Sequence, residues 1–415
     1  MELYPSYKIH EHDLDTSGLA DVKFGKEMKI KEFRLREDMA FFNHGSYGTV
    51  PRRMLDIQIK YLLEREEHPD LWFRLTAKHY LDKARHSVAE FVGADVENVF
   101  LVSNATTAIN MVVKSYPFQS GQAILDTNTS YGSVMNLCAD FTSRIRPDVQ
   151  RVCLQLDFPI ESEDYIIQKY KEILEQHPEI KLVILDHITS PTSILMPVKK
   201  LVDICHQHGA VVVIDGAHTI GHLPINVKEL GADIYTSNLH KWAYAPRGSA
   251  FLWYDSKHAG WILPENTSWQ MGLALDKQFF DQGTRDHISL ICARHALQFY
   301  EAIGGMDKIV GYTSDLAKKA KEIFVKEVGL EDVLPESLEA PGLRSVRFPT
   351  LPKFPCSESN VWSLHKALFG NSNVFGIIYA ISGAYYLRYS IQIYNDLDDV
   401  KAIAKVIKDF LDSNI

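Results

Sequence analysis

From residue 99 to residue 254 the chain alternates short, continuous apolar runs with longer stretches whose apolar positions recur every three or four residues. The runs cover 99–102, 123–126, 152–156, 182–186, 211–215, 234–236 and 248–254. They are rich in β-branched residues and mostly do not alternate with polar ones, which is how strands buried on both faces of a sheet read. Between them, 105–115, 133–141, 162–175 and 198–208 carry helical spacing. Strand, helix, strand at this pitch predicts an α/β architecture: a large, wound, mainly parallel sheet.

The flanks read differently. The first 38 residues are polar and charged, which suggests an N-terminal arm at 1–40. Leu55, Ile59, Leu62 and Leu63 recur at helical spacing, so 51–92 reads as helices. Beyond about residue 300, helical stretches at 305–328 and 358–370 flank short strands near 343–348 and 386–393, and an amphipathic helix covers 397–412. The expected organisation is a large domain at 41–300 and a smaller α+β domain at 301–415, with the N-terminal helices free to pack against the latter.

Composition narrows the function classes. A net charge of −9 argues against a nucleic-acid partner. The five cysteines (Cys138, Cys153, Cys205, Cys292 and Cys356) are scattered and form no C-x-x-C pair, so neither a zinc ribbon nor a disulfide framework is indicated. Free thiols suit a reducing compartment. The start, MELYPSYKIHEHDLD, has no apolar signal region, and no apolar run reaches the ~18 residues of a membrane span. Ser413, Asn414 and Ile415 match no peroxisomal or reticular tail. A cytoplasmic protein without a membrane partner is expected.

In a wound sheet, ligands bind beyond the carboxyl ends of the strands. After 99–102 comes Ser103-Asn104-Ala105-Thr106-Thr107, a small-residue turn opening a helix. Such a turn is an anion site, or simply a helix cap. After 211–214 comes Asp215, followed by Gly216, Ala217 and His218. A carboxylate ending a buried strand needs a partner, such as a protonated ring nitrogen. The bland alternative is a loop cap. After 234–236 comes Ser237-Asn238-Leu239-His240-Lys241-Trp242. A lysine among apolar groups there could act as a Schiff-base amine, although a lone lysine is more often a surface charge. Together the three supply a phosphate cradle, a pyridinium partner and an amine, which is what pyridoxal 5′-phosphate (PLP) requires.

The run DGAHTIGHLPINVKELGADIYTSNLHKW at 215–242 resembles the core of fold-type I PLP enzymes of the class V aminotransferase group. That group includes cysteine desulfurases, kynureninase and isopenicillin-N-epimerase-like proteins. FFNHGSYGTVP at 41–51, DHITSPTSILMPV at 186–198 and LRYSIQIYN at 387–395 resemble the epimerase-like branch, which also contains lyases of cysteine conjugates. The resemblance runs from about residue 40 to the C-terminus.

It implies that Lys241 anchors the cofactor and moves the Cα proton, and that Asp215 pairs with the pyridine nitrogen. His218 would reach the phenolic oxygen or ring edge, and Tyr131 would stack on the ring, where many relatives have His. Ala105, Thr106 and Thr107 would hold the phosphate, helped by Ser237 or His240. Ser190 stands near where desulfurases place an Asn against the phenolic oxygen, a departure from their pattern. Thr284 would reach the phosphate of a neighbouring subunit, implying a homodimer with shared sites. Arg388 would clamp the substrate carboxylate, and Asn43, His44 and Tyr47 would face the substrate.

The reaction expected first is C–S β-elimination from a cysteine-derived amino acid, giving pyruvate and ammonia. Epimerisation ranks second, because it needs a further acid on the opposite face, and transamination third. Cys153 reads as a buried structural thiol rather than a sulfur handler, and Cys356 lacks the context of a desulfurase cysteine. Two rivals come from other classes. Asp215, His218 and His222 have spacing for a metal hydrolase site, weakened by Gly216, Gly221 and the lack of an H-E-x-x-H glutamate. The other is a non-catalytic scaffold, against which Lys241 and Asp215 both argue.

Overall fold

A computed structural model of the protein describes residues 9–414. Seven strands form the large sheet: β1 (Val99–Val102), β2 (Ala123–Thr127), β3 (Gln150–Leu154), β4 (Ile180–Asp186), β5 (Val211–Asp215), β6 (Ile234–Ser237) and β7 (Ala250–Tyr254). Their order is β1-β7-β6-β5-β4-β2-β3, and only β7 runs antiparallel to its neighbours. The architecture is the expected wound, mainly parallel α/β sheet. The β-branched runs are continuous because both faces are covered: Val212 and Ile214 join one apolar cluster, Val213 and Ile234 another. All four are fully buried. Truncating any one to Ala costs about 2–4 kcal/mol by lost burial and a residual cavity.

A second, antiparallel sheet is built by β8 (Glu331–Asp332), β9 (Leu343–Arg347), β10 (Ile377–Ile381) and β11 (Ala384–Ser390), in the order β10-β11-β9-β8. Strand β10 carries no clean alternation and is mostly half-buried, so periodicity does not announce it. Val374–Phe375 pairs in parallel with Ala40–Phe41. The buried Ala40 and Phe42 thereby join the apolar cluster of this smaller sheet. That pairing carries the next residues, 43–47, to the junction of the two sheets.

The polar lead-in is packed rather than loose. Leu14, Leu19, Val22, Met28 and Phe33 are buried in the main core. The arm expected at 1–40 begins with residues 1–8, which lie outside the described residues. Among the described residues no helix is long and apolar enough to cross a membrane.

Candidate active site

Strands β4, β5 and β6 end at a cavity of about 250 Å³ that also receives residues from the helical turn His44–Tyr47 and from β10 and β11. Lys241 sits on the four-residue helix Leu239–Trp242 directly after β6. The residue is half-buried. Burial lowers its pKa to about 8, Asp215 opposes this, and the charge of Arg388 adds to it. Nζ lies 3.2 Å from His218 Nε2. The backbone carbonyl of Lys241 accepts from Nε2 of buried His44, whose Nδ1 meets Tyr394 Oη at 3.0 Å. Gly48, with φ +66°, crosses so near that a Cβ would lie 1.8 Å from the His240 carbonyl oxygen. Only glycine lets the N-terminal loop close over this helix.

Asp215 ends β5, and its Oδ1 accepts the Ala217 N–H at 2.9 Å. Burial raises its carboxyl pKa, while Lys241 and the Ala217 bond oppose the rise. Its register partner on β4 is Asp186, also buried, whose Oδ2 accepts from Ser130 Oγ at 2.7 Å. Burial and the neighbouring Asp215 charge push Asp186 well above the ordinary carboxylate range. Asp215 has no ion-pair partner among the described residues, so its cavity side suits a cationic N–H group.

The phosphate end is narrower than expected. Asn104 caps the helix Ala105–Ser115 by accepting the Thr107 N–H at 2.8 Å, and Asn238 Oδ1 takes the Ala105 N–H at 2.9 Å. Thr106 is left as the first-turn hydroxyl on the cavity wall. Ala105 lines the cavity with its N–H already used. Thr107 lies off it, its hydroxyl accepting from Ser103 Oγ at 3.1 Å. His240 lines the wall. Its Nδ1 donates to the Ser249 carbonyl at 3.0 Å, and burial holds it down at about 4.

Arg388 on β11 is 1% exposed. It donates to the Ser190 carbonyl at 2.7 Å, to Asn43 Oδ1 at 3.0 Å and to Ser46 Oγ at 2.8 Å. Its guanidinium carbon stands 5.1 Å from the Tyr379 ring centre, and its Nε has no partner. No carboxylate pairs with it among the described residues. A buried cation held only by neutral groups is arranged for an incoming anion.

The structure thus gathers Thr106, Ser190, Asp215, His218, His240, Lys241 and Arg388 around one cavity, with Tyr47 and Tyr131 at its exposed edge. Several expected roles change. Ser237 is a loop staple: its hydroxyl donates to the Gly216 carbonyl and accepts the Ile220 N–H. Asn43 accepts from Arg388 and His44 donates to the Lys241 carbonyl, and neither lines the cavity. Ser190 holds Arg388. Thr284 lies in a different cavity, with Gln270, Asp281 and His287. His222 offers no metal lone pair, because its ring nitrogens meet the His218 carbonyl and the Gly342 N–H.

Sequence reasoning missed Asp186, Asn238, Ser46 and Tyr379. Asp186 shows the same signal as Asp215, an acidic end to an apolar run. Tyr379 shows none, because only the pairing of β10 with β11 brings it to Arg388. The donor set fits PLP: a half-buried lysine, an unpaired carboxylate for the pyridinium and a hydroxyl at a helix N-terminus for phosphate.

A family model described as aminotransferase class-V matches residues 71–403. Hercynylcysteine sulfoxide lyase of Schizosaccharomyces pombe is 30% identical over 400 residues, covering 93% of this chain and 98% of the relative. A probable chloroplastic L-cysteine desulfhydrase of Arabidopsis thaliana is 30% identical over 399 residues, covering 89% and 82%. Among solved structures, C-DES with glycine covalently linked to its PLP cofactor superposes with a TM-score of 0.77 at 18% identity, covering 90% of this chain and 97% of that one. This last likeness is one of fold.

Proposed function

The chain belongs to the aminotransferase class-V family, and on that premise we propose that it is a PLP-dependent C–S β-lyase of a cysteine-derived amino acid. A cysteine conjugate or its sulfoxide is the substrate class, and pyruvate and ammonia are released. The observation that carries this reading is the pairing of a half-buried, easily deprotonated Lys241 with a buried Arg388 that lacks a carboxylate. An amino acid supplies the missing carboxylate and puts its Cα–H within the same cavity. The choice of C–S cleavage is supported by the two relatives, a sulfoxide lyase and a desulfhydrase.

PLP, when bound, supplies an electron sink for the bond broken at Cα. Asp215 would hold its ring nitrogen protonated, Thr106 would take its phosphate, and Lys241 would carry it. The chain's own work is then as follows. Arg388, held by Asn43, Ser46 and Ser190, fixes the α-carboxylate. Lys241 takes the Cα proton. The Cβ–S bond breaks with its electron pair leaving on sulfur, as a thiolate from a thioether or a sulfenate from a sulfoxide. Water then releases the remaining three carbons as pyruvate and the nitrogen as ammonia.

The working form we propose is a homodimer in which Thr284 completes the neighbour's site. In support, Thr284 is exposed, and the nearby Arg285 Nε and both His287 ring nitrogens are buried without partners. Trp269 is 96% exposed on the same connecting segment. Five unpaired cysteines support the cytoplasm as the compartment.

The test is a panel of S-substituted cysteines and their sulfoxides, with pyruvate as readout. Pyruvate in one-to-one ratio with released sulfur product is expected. Formation of the D-isomer alone would move the reaction to epimerisation, and amino transfer to a keto acid without sulfur release would move it to transamination.

A further inference from the structure

His218 meets Lys241 through Nε2, and its other ring nitrogen meets a group outside the cavity. An indole N–H can only donate. Trp242 Nε1 lies 3.3 Å from His218 Nδ1, so Nδ1 accepts. Trp242 is itself held in place, its ring stacked on His222 at 3.8 Å between centres and 7° between planes. The Gly342 N–H donates to His222 Nε2 at 2.7 Å, so His222 carries its proton on Nδ1. From there it donates to the His218 carbonyl at 2.9 Å. A Cβ at Gly342 would stand 2.9 Å from the Ile391 carbonyl oxygen and 3.2 Å from the Trp242 ring, so this close approach requires glycine. His218, His222 and Trp242 are each 1% exposed.

We propose that Trp242 is a positioning residue that locks His218 as the neutral Nε2–H tautomer, so that His218 presents a hydrogen-bond donor, and not a base, to Lys241. The bond at 3.2 Å then runs from His218 Nε2–H to the lone pair of an uncharged Lys241 amine. A protonated lysine would meet an N–H instead of an acceptor, so this tautomer favours the free amine. An imidazolium at 218 would place a second N–H against the indole N–H. Burial and the charges of Lys241 and Arg388, with smaller effects from His222 and His240, also disfavour it. Asp186 and Asp215 are the carboxylates on the same cavity. Trp242, His222 and Gly342 touch no part of the cavity, so their effect passes through His218.

The consequence for turnover rests on the reading of Lys241 as cofactor anchor, whereas the tautomer is measurable without turnover. The experiment uses the full chain labelled with ¹⁵N-histidine, with and without added PLP. His218 signals are identified by their loss in His218→Gln. In wild type, the pattern of a protonated Nε2 and bare Nδ1 is expected above about pH 8, where the Lys241 amine is uncharged. Trp242→Phe keeps a ring against His222 and removes only the donor. Both tautomers are expected in it, with kcat down about tenfold and KM unchanged. In a His218→Gln background, where an amide supplies a fixed N–H, the same change is expected to cost nothing more.

An Nδ1–H tautomer or an imidazolium in the wild type overturns the proposal, even if the Phe variant fails to fold. Unchanged His218 signals in Trp242→Phe overturn it too, as does an equal loss of kcat in the His218→Gln background. A wild type with the expected tautomer but no lyase activity upholds the assignment and removes the functional reading instead.

Discussion

Burial penalises a charged amine, and on the wall of the cavity it lowers the Lys241 pKa to about 8. Only the uncharged amine attacks the cofactor's aldehyde. Uptake of PLP by the bare chain is therefore expected to accelerate with rising pH around a midpoint of about 8, not at an ordinary lysine's 10.5. Stopped-flow absorbance against pH measures this. Lys241→Ala is expected to fold and to lose the covalent cofactor band. Arg388 is a different case, because on the proposed reading its charge would meet the substrate carboxylate. Arg388→Ala is expected to raise KM by about 10²-fold, the size of one charge-assisted bidentate contact, with the cofactor band intact. Loss of the band in that variant would contradict the assignment. Lys241, Asp215 and Thr106 are legible in the sequence because each follows an apolar run. Arg388 is legible only through resemblance, since an arginine amid strand residues has no local mark of burial.

The elements do the positioning by ending in the right place. Strands β5 and β6 are joined at their start by Asp233, which accepts from the Val212 N–H, His206 and His258, and pairs with Lys257. Burial works to raise its carboxyl, but these donors outweigh burial and hold it far below the usual carboxylate range. A carboxyl with a depressed folded pKa adds stability above its unfolded value, and loses it as pH falls through the folded one. Stability is therefore expected to decline steadily below roughly pH 4. Asp233→Asn should remove that part of the acid dependence and cost about 3 kcal/mol at neutral pH, because it leaves buried donors poorly matched. Urea titrations across pH check both. At the other ends of the strands, Asn238 of the Lys241 turn binds the first N–H of the Thr106 helix. This ties the turn that carries Lys241 to the helix that carries Thr106. Helix caps and acidic strand ends are local signals, so most elements could be placed from periodicity. Strand β10 could not, because its half-buried side chains follow no period.

At the scale of the whole molecule, the site is a seam. The large sheet contributes Lys241 and Asp215, the smaller sheet contributes Arg388, and the turn at 43–47 joins them through Asn43 and Ser46. The parallel pairing of Ala40–Phe41 with Val374–Phe375 delivers that turn across more than three hundred residues of chain. If Thr284 completes a neighbouring site, sedimentation should give twice the chain mass. Thr284→Arg should then lower cofactor affinity without moving the pH midpoint of Lys241. A monomer with full activity would remove the shared-site reading. Trp269 would in that case be an exposed apolar surface of another kind.

The sequence alone determined the wound α/β class and the strands that end at the site, and it pointed to Lys241, Asp215 and the turn 105–107 as candidates. It could do so because strand burial and helix capping write themselves into neighbouring residues. What only the tertiary structure decided is how groups far apart in the chain share one hydrogen-bond set. Thr107, Ser237 and His44 have the right chemistry, yet their bonds are consumed by Ser103, Gly216, Ile220 and the Lys241 carbonyl. Asp186 joins Asp215 because β4 and β5 are in register. Lys241 itself reads as an ordinary cation until the fold partly buries it and sets His218 against it. Its proton is governed by desolvation and by the charges of Asp215 and Arg388, and none of these acts on it in a linear chain.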